Sequence, residues 1–235
     1  MHVFNSSTTL GDLVLDHPAA ADLFERLGLD FCCGGAKTLG DAVKERGLDA
    51  ATVLVMLKSL GESPLQVVAG GHDVAGMTLA ELVDHIVADH HEPLRVDFVK
   101  IGELFDTVVR VHGAIDPSLA EMRDRFVTIR EELLAHMAQE ENNLFPVCRD
   151  AGTRAATRVG DDLLRELEHT HEATGGVLAE LRELGGDYAT DDAHCGTHRL
   201  LLQLLAAMEA DLHQHIHEEN NLLFPRAREL MLVRA

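Results

Sequence analysis

Basic residues are scarce in this chain. Its 235 residues carry 20 Lys and Arg against 40 Asp and Glu, a net charge of -20. Polyphosphate backbones and anionic membrane surfaces are bound by cationic side chains that displace counterions, so nucleic acid and lipid are excluded as expected partners. Long apolar runs are also missing. No stretch approaches the roughly 20 residues of a membrane-spanning helix, and the first residues lack a basic segment followed by an apolar one. A cytoplasmic protein is the expectation. Cysteine is sparse, with four residues of which two are adjacent, a pattern of reduced thiols rather than a disulfide framework. Tryptophan is absent and tyrosine occurs once, whereas histidine occurs 15 times. Imidazole, a ligand suited to iron, zinc and copper, is the side chain to follow.

Sustained strand-like alternation is missing too, and helical periodicity runs throughout. The expected fold is all-α. Residues 1–57 hold short helices, with Thr9/Asp12 and Thr38/Asp41 as start signals and Gly28, Gly34, Gly35 and Gly47 as punctuation. Residues 58–77, "KSLGESPLQVVAGGHDVAGM", lose the pattern and read as a linker. Beyond it, residues 78–235 read as an antiparallel four-helix bundle. Thr78 and Glu81 open the first long helix, which reaches about His112 with a bend at Pro93. Asp116-Pro117 starts the second, ending near Asn142-Asn143. The third covers about Arg158 to Leu184 and the fourth about Thr197 to Phe224.

The bundle region contains a repeat. "AHMAQEENNLFP" (135–146) and "QHIHEENNLLFP" (214–225) share His-x-x-x-Glu followed by Leu-Phe-Pro, placing His136 and His215, and likewise Glu140 and Glu219, 79 residues apart. His91 and His171, each followed by Glu, lie 80 apart. A spacing of four puts imidazole and carboxylate on one helix face, about 5 to 6 Å apart at Cβ. Both pairs lie on apolar stripes: His136 and Glu140 with Ile129, Leu133 and Leu144, and His215 and Glu219 with Leu205, Met208, Leu212 and Leu222. A buried carboxylate without a partner costs several kcal/mol, roughly, and coordination to a metal removes that cost.

Chain arithmetic supports one layer. His91 and His136 are 45 residues apart about the turn at Gly113, and His171 and His215 are 44 apart about Asp191-Asp192, so antiparallel helices bring each pair to one level. Four imidazoles and two carboxylates suffice for two metals, each held by two His and bridged by Glu140 and Glu219, with an oxo or hydroxo bridge and an open position. Such donors suit iron. His112, about 31 Å from His91 along a continuous helix, is set aside unless the helix breaks. His85, His90, His169, His194 and His198 are expected at the surface, with His90 the closest to a ligand position. His213 and His217 are expected on the solvent-facing side with Glu209, and the Leu-Phe-Pro tails as helix terminators.

A second chemical feature is "LDFCCGGAKTL", residues 29–39. Cys32 and Cys33, after a helix end and before two glycines, read as exposed or flexible thiols able to bind soft metal or exchange with disulfides. A packing role is equally compatible with the pattern. Cys148 and Cys195 read as ordinary small residues.

Together, "FCCGGAKTLGDA" and "HIHEENNLLFPRA" resemble signatures of the repair-of-iron-centres proteins of ScdA/YtfE type, which join a short CCGG module to a hemerythrin-like domain. The resemblance covers nearly the whole chain. It implies two non-haem irons per chain, with His91, His136, His171 and His215 as terminal ligands and Glu140 and Glu219 as bridges. It further implies repair of iron–sulfur clusters damaged by nitric oxide or oxidative stress, by iron delivery, with damaged iron–sulfur proteins as partners and nitric oxide or oxygen as small ligands. Cys32 and Cys33 would then carry thiol redox chemistry or iron transfer. The alternatives are a hemerythrin-like oxygen carrier or sensor, and reduction of nitric oxide or peroxide at the di-iron centre. Whether the protein is an enzyme, and whether it forms a homodimer, stay open.

Overall fold

The computed structural model describes residues 5–61, 74–150 and 160–233. Helices account for its regular structure: α1 (Leu10–Asp16), α2 (Ala20–Leu27), α3 (Leu39–Glu45), α4 (Ala50–Gly61), α5 (Leu79–His85), α6 (Glu92–His112), α7 (Ser118–Gln139), α8 (Phe145–Arg149), α9 (Asp161–Leu184), α10 (Gly196–Glu218) and α11 (Phe224–Val233). π-Helical turns at Ile86–His91, Glu140–Leu144 and Glu219–Leu223 join α5 to α6, α7 to α8 and α10 to α11. The chain forms two compact units. One contains Met1–Thr78 with His213–Val233, and the other is built on Leu79–Leu212.

The start signals of the first unit act as read. Thr9 Oγ1 accepts the N–H of Asp12 at 3.2 Å, and Thr38 Oγ1 accepts that of Asp41 at 3.2 Å. Each hydroxyl satisfies a donor that the first helical turn leaves without a partner. Thr9 and Thr38 also face each other across an isolated bridge, so both caps are fixed together. α2 stops at Gly28, whose φ of 65° is the left-handed conformation that glycine adopts without Cβ strain. Phe24, Phe31, Leu39, Val43, Leu57 and Ile216 belong to the core of this unit. α4 continues to Gly61, so the expected linker begins later than Lys58. Its residues 62–73 lie outside the described residues.

The second unit holds the core of an antiparallel four-helix bundle. Phe98, Ile101 and Phe105 from α6, Phe126, Ile129 and Leu133 from α7, Leu178 and Leu181 from α9, and Leu201, Leu205 and Met208 from α10 form one cluster. They recur at three- and four-residue steps, which keeps each stripe on one face. Burying each such side chain contributes about 1.5–3 kcal/mol.

Two readings of the helices are corrected. The Leu-Phe-Pro tails do not terminate anything, because α8 and α11 begin at Phe145 and Phe224 and run through Pro146 and Pro225. The first long helix is likewise not an α-helix bent at Pro93, since Ile86–His91 is a π turn and Pro93 is the second residue of α6. The cause is common to all three places. Proline has no N–H to donate, and the preceding residue reaches one step further back: Glu92 N–H to Val87 O, Phe145 N–H to Glu140 O and Phe224 N–H to Glu219 O. The start expected for the third helix, Arg158, lies outside the described residues.

Candidate metal centre

The π turns carry candidate ligands at their ends. His91 is the last residue of one, and Glu140 and Glu219 are the first residues of the others. Such turns are rare and are enriched at functional sites, because the extra residue re-aims side chains without breaking the helix.

In the Leu79–Leu212 unit, His91, His136, Glu140 and His171 meet in the interior. Their relative exposures are 0%, 3%, 0% and 1%, values far below those of ordinary ionisable residues. Glu140 Oε1 lies 3.2 Å from His136 Nε2 and Glu140 Oε2 lies 3.5 Å from His91 Nε2. His136 Nε2 and His171 Nε2 are 2.8 Å apart. His136, Glu140 and His171 therefore each offer a donor atom within 4.8 Å of the others. In the other unit, His215 Nε2 and Glu219 Oε1 are 3.0 Å apart, both residues being buried.

The donor chemistry fits a cation. Both oxygens of Glu140 are buried without a hydrogen bond, and a carboxylate in that condition is costly unless positive charge lies beside it. Two imidazole nitrogens at 2.8 Å require a proton or a metal between them, since two lone pairs repel. The set of imidazole and carboxylate donors is the kind that binds iron.

A second layer orients His91. Its Nδ1 lies 2.7 Å from Glu141 Oε1, which also accepts from Arg95 Nη2 at 2.7 Å. Partial burial alone would raise the Glu141 carboxyl, but the hydrogen bonds to Arg95 and His91 outweigh it and hold the group below the usual carboxylate range. The His91 ring also stacks on Phe145, with centroids 5.5 Å apart. Glu141 and Arg95 were not among the sequence candidates. The Glu140-Glu141 pair was the available signal, read only through Glu140.

Several histidines expected at the surface are buried. His90 is 6% exposed and pairs through Nδ1 with Asp211 Oδ1 at 2.9 Å. His198 is buried beside His194, which stacks on His112 with centroids 5.2 Å apart and meets Asp116 at 2.8 Å. His112 is thus engaged at the loop end of α6, with no role beside His91. Glu209 is buried too, accepting from Arg182 Nε at 2.9 Å. His217 is fully buried and His213 partly so. Phe31 meets both rings edge-on, at 5.6 and 6.3 Å, and His213 also pairs with Glu25 at 3.1 Å. A polar helix face read as solvent-facing is here covered by the N-terminal residues. His169 is exposed, as read.

The thiols differ from expectation as well. Cys32 is 8% exposed and Cys33 partly so. Cys32 Sγ lies 3.8 Å from Cys33 Sγ and 3.4 Å from Asp30 Oδ1, which accepts the Cys33 N–H at 2.9 Å. The hydrogen bond to Cys33, then burial, then the charges of Cys33 and Asp30 raise the Cys32 thiol far above its ordinary range. Asn221 Nδ2 donates to the carbonyls of Phe31 and Cys32, each at 3.3 Å, and Asn220 Nδ2 donates to that of Cys32 at 3.2 Å. Cys148 is buried and its thiol is pushed up to about 12 by that burial, which agrees with an inert packing residue.

These features define a cation-binding helical bundle preceded by a small helical module. Residues 82–227 match the Hemerythrin HHE cation binding domain, and residues 6–61 match the domain of unknown function DUF542, ScdA_N. The chain is 33% identical over 228 residues to the iron-sulfur cluster repair protein YtfE of Dickeya chrysanthemi, covering 97% of this chain and 98% of that protein. It is 30% identical over 222 residues to the iron-sulfur cluster repair protein ScdA of Staphylococcus haemolyticus, covering 94% and 98% respectively. With YtfE of Escherichia coli O81 the identity is 31% over 220 residues, covering 93% and 95%. The chain belongs to the ScdA/YtfE family of iron–sulfur cluster repair proteins. Among the described residues no helix is long and apolar enough to cross a membrane.

Proposed function

We propose that this protein restores iron–sulfur clusters damaged by nitric oxide or oxidants, and that it does so from a di-iron centre by delivering iron to damaged cluster proteins in the cytoplasm. His91, His136, His171 and His215 would be the terminal ligands and Glu140 and Glu219 the bridging carboxylates. The observation that carries this reading is Glu140, buried with no hydrogen bond among three imidazole-bearing helices. The relatives named as repair proteins support it over nearly the full chain. Two irons with an open position would supply reversible ligand binding, to nitric oxide or oxygen, and one-electron redox chemistry. On the protein side, Glu141 and Arg95 orient His91, and Phe145 keeps water from its face.

Metal analysis of the anaerobically purified protein tests the centre. The expected content is two irons per chain, with most of it lost in Glu140→Ala and His215→Ala. One zinc per chain, or full iron retention in both variants, would reject it. Repair is tested by mixing the reduced protein with an apo or nitrosylated cluster enzyme and measuring recovered activity, for wild type and for a Cys32→Ser/Cys33→Ser variant. Recovery with neither favours oxygen carriage or sensing, which gives the thiol module no task.

A further inference from the structure

Outside the bundle, one cluster has the shape of a second binding site. Asp30, Cys32 and Cys33 each offer a donor atom, all within 4.8 Å of one another. Two sulfurs on a tetrahedral ion, each at about 2.3 Å, lie about 3.8 Å apart, and a carboxylate oxygen at about 2.0 Å lies about 3.5 Å from such a sulfur. The observed separations are 3.8 Å between the sulfurs and 3.4 Å between Cys32 Sγ and Asp30 Oδ1. Two measured edges of the donor triangle thus match those of a tetrahedron around one ion.

We infer that Asp30, Cys32 and Cys33 form a binding site for one thiophilic divalent first-row cation, iron(II) or zinc, with the fourth position left for water or for a thiolate of a recipient protein. Binding would convert two thiols to thiolates, releasing two protons to solvent as two metal–sulfur bonds form. No electron transfer is involved. Asp30 is exposed and Cys33 partly so, which leaves the cluster open to exchange.

The loop is held ready for this by the end of the last bundle helix. Asn220 and Asn221 bind the carbonyls of Phe31 and Cys32, so those oxygens are not ligands and the peptide between the donors is fixed. Both glycines of the CCGG stretch sit where a side chain would collide, Gly35 with Asn221 and Gly34 with the loop itself. A Cβ on Gly35 would lie 2.3 Å from Asn221 Oδ1, and one on Gly34 would lie 2.8 Å from Asp30 O. Fixing donors before the metal arrives lowers the ordering cost of binding. The site goes beyond the di-iron reading and does not depend on it.

Cobalt(II), titrated anaerobically into full-length, metal-free, thiol-reduced protein, is the probe. One equivalent should produce sulfur-to-cobalt charge-transfer absorption together with visible bands of tetrahedral cobalt. The charge transfer should vanish in Cys32→Ser/Cys33→Ser, whether or not cobalt also occupies the histidine and glutamate donors. Asn221→Ala, which removes a support behind the donors, should weaken this equivalent by about 10–100-fold, and Asp30→Asn should weaken it with unchanged far-UV circular dichroism. Absence of the band in wild type overturns the site, a result that needs no variant to fold. Wild-type affinity in a folded Asp30→Asn overturns the three-donor assignment. A wild-type protein that shows the band yet takes up no metal at the histidine and glutamate donors would sink the di-iron reading alone.

Discussion

At the scale of single residues, the buried polar groups divide into those with partners and those shaped for a cation. Glu141 belongs to the first kind, holding His91 from behind while Arg95 holds it. Partners of this type orient a ligand ring and are worth about 10–100-fold in metal affinity. Glu141→Gln should therefore lower iron affinity by that order in a chelator competition, with the fold intact. His198 sets a pH dependence. Burial first, and then the neighbouring His194, push its imidazole below the ordinary value of 6.5, with Asp116 opposing and His112 reinforcing. Its folded pKa is the lower one, so the unfolded chain takes up the proton first. The contribution of His198 is fully present above 6.5 and is lost as pH falls from there toward the folded value. The thermal midpoint of metal-free protein should fall as pH drops from about 7.5 to about 5.5, and His198→Gln should flatten that slope. Sequence spacing exposed His136, Glu140, His215 and Glu219 because the repeat is in register. It did not expose His90, His198 or His217, whose burial depends on covering residues far away in the chain, such as Phe31 for His217.

At the scale of elements, the π turns explain what periodicity could and could not reveal. The apolar stripes of α6, α7, α9 and α10 were legible because each repeats over several turns, and the caps at Thr9 and Thr38 because capping is local. The π turns were not, since a single added residue looks like a lapse in the 3.6 period and the following proline looks like a stop. Each instead ties a proline to a candidate ligand: Pro93 follows His91, and Pro146 and Pro225 follow Glu140 and Glu219 by six residues. Deleting Asn142 should relax its turn to α-geometry, with Phe145 N–H reaching Glu140 O over four residues instead of five, and shift Glu141 out of reach of His91. Helix content by circular dichroism should stay near wild type while iron affinity falls. Unchanged affinity would show that the turn does not aim the ligands.

At the scale of the whole molecule, the acidic excess has a physical consequence of its own. A net charge of -20 repels itself in the folded state. Raising salt toward 0.15 M, where the screening length is about 8 Å, should raise the thermal midpoint. A decrease would mean that surface ion pairs outweigh the repulsion. The unit that joins the first residues to His213–Val233 contains Phe31, 2% exposed and set against the edges of His213 and His217. Phe31→Ala should cost about 3–5 kcal/mol in urea denaturation, although the residue lies more than 180 positions from those histidines. The CCGG stretch and the Glu-Glu-Asn-Asn stretch were each visible in the sequence, but their contact was not, because nothing local connects them.

That contact couples two positions far apart in the chain. A Cβ at residue 35 would lie 2.3 Å from Asn221 Oδ1 and 2.7 Å from the Phe31 carbonyl oxygen, so an alanine there strains both, and shrinking residue 221 removes one of the two obstacles. Gly35→Ala should be damaging alone and partly rescued by Asn221→Ser or Asn221→Gly. Through that contact, the side chain that residue 35 can carry depends on the one at residue 221.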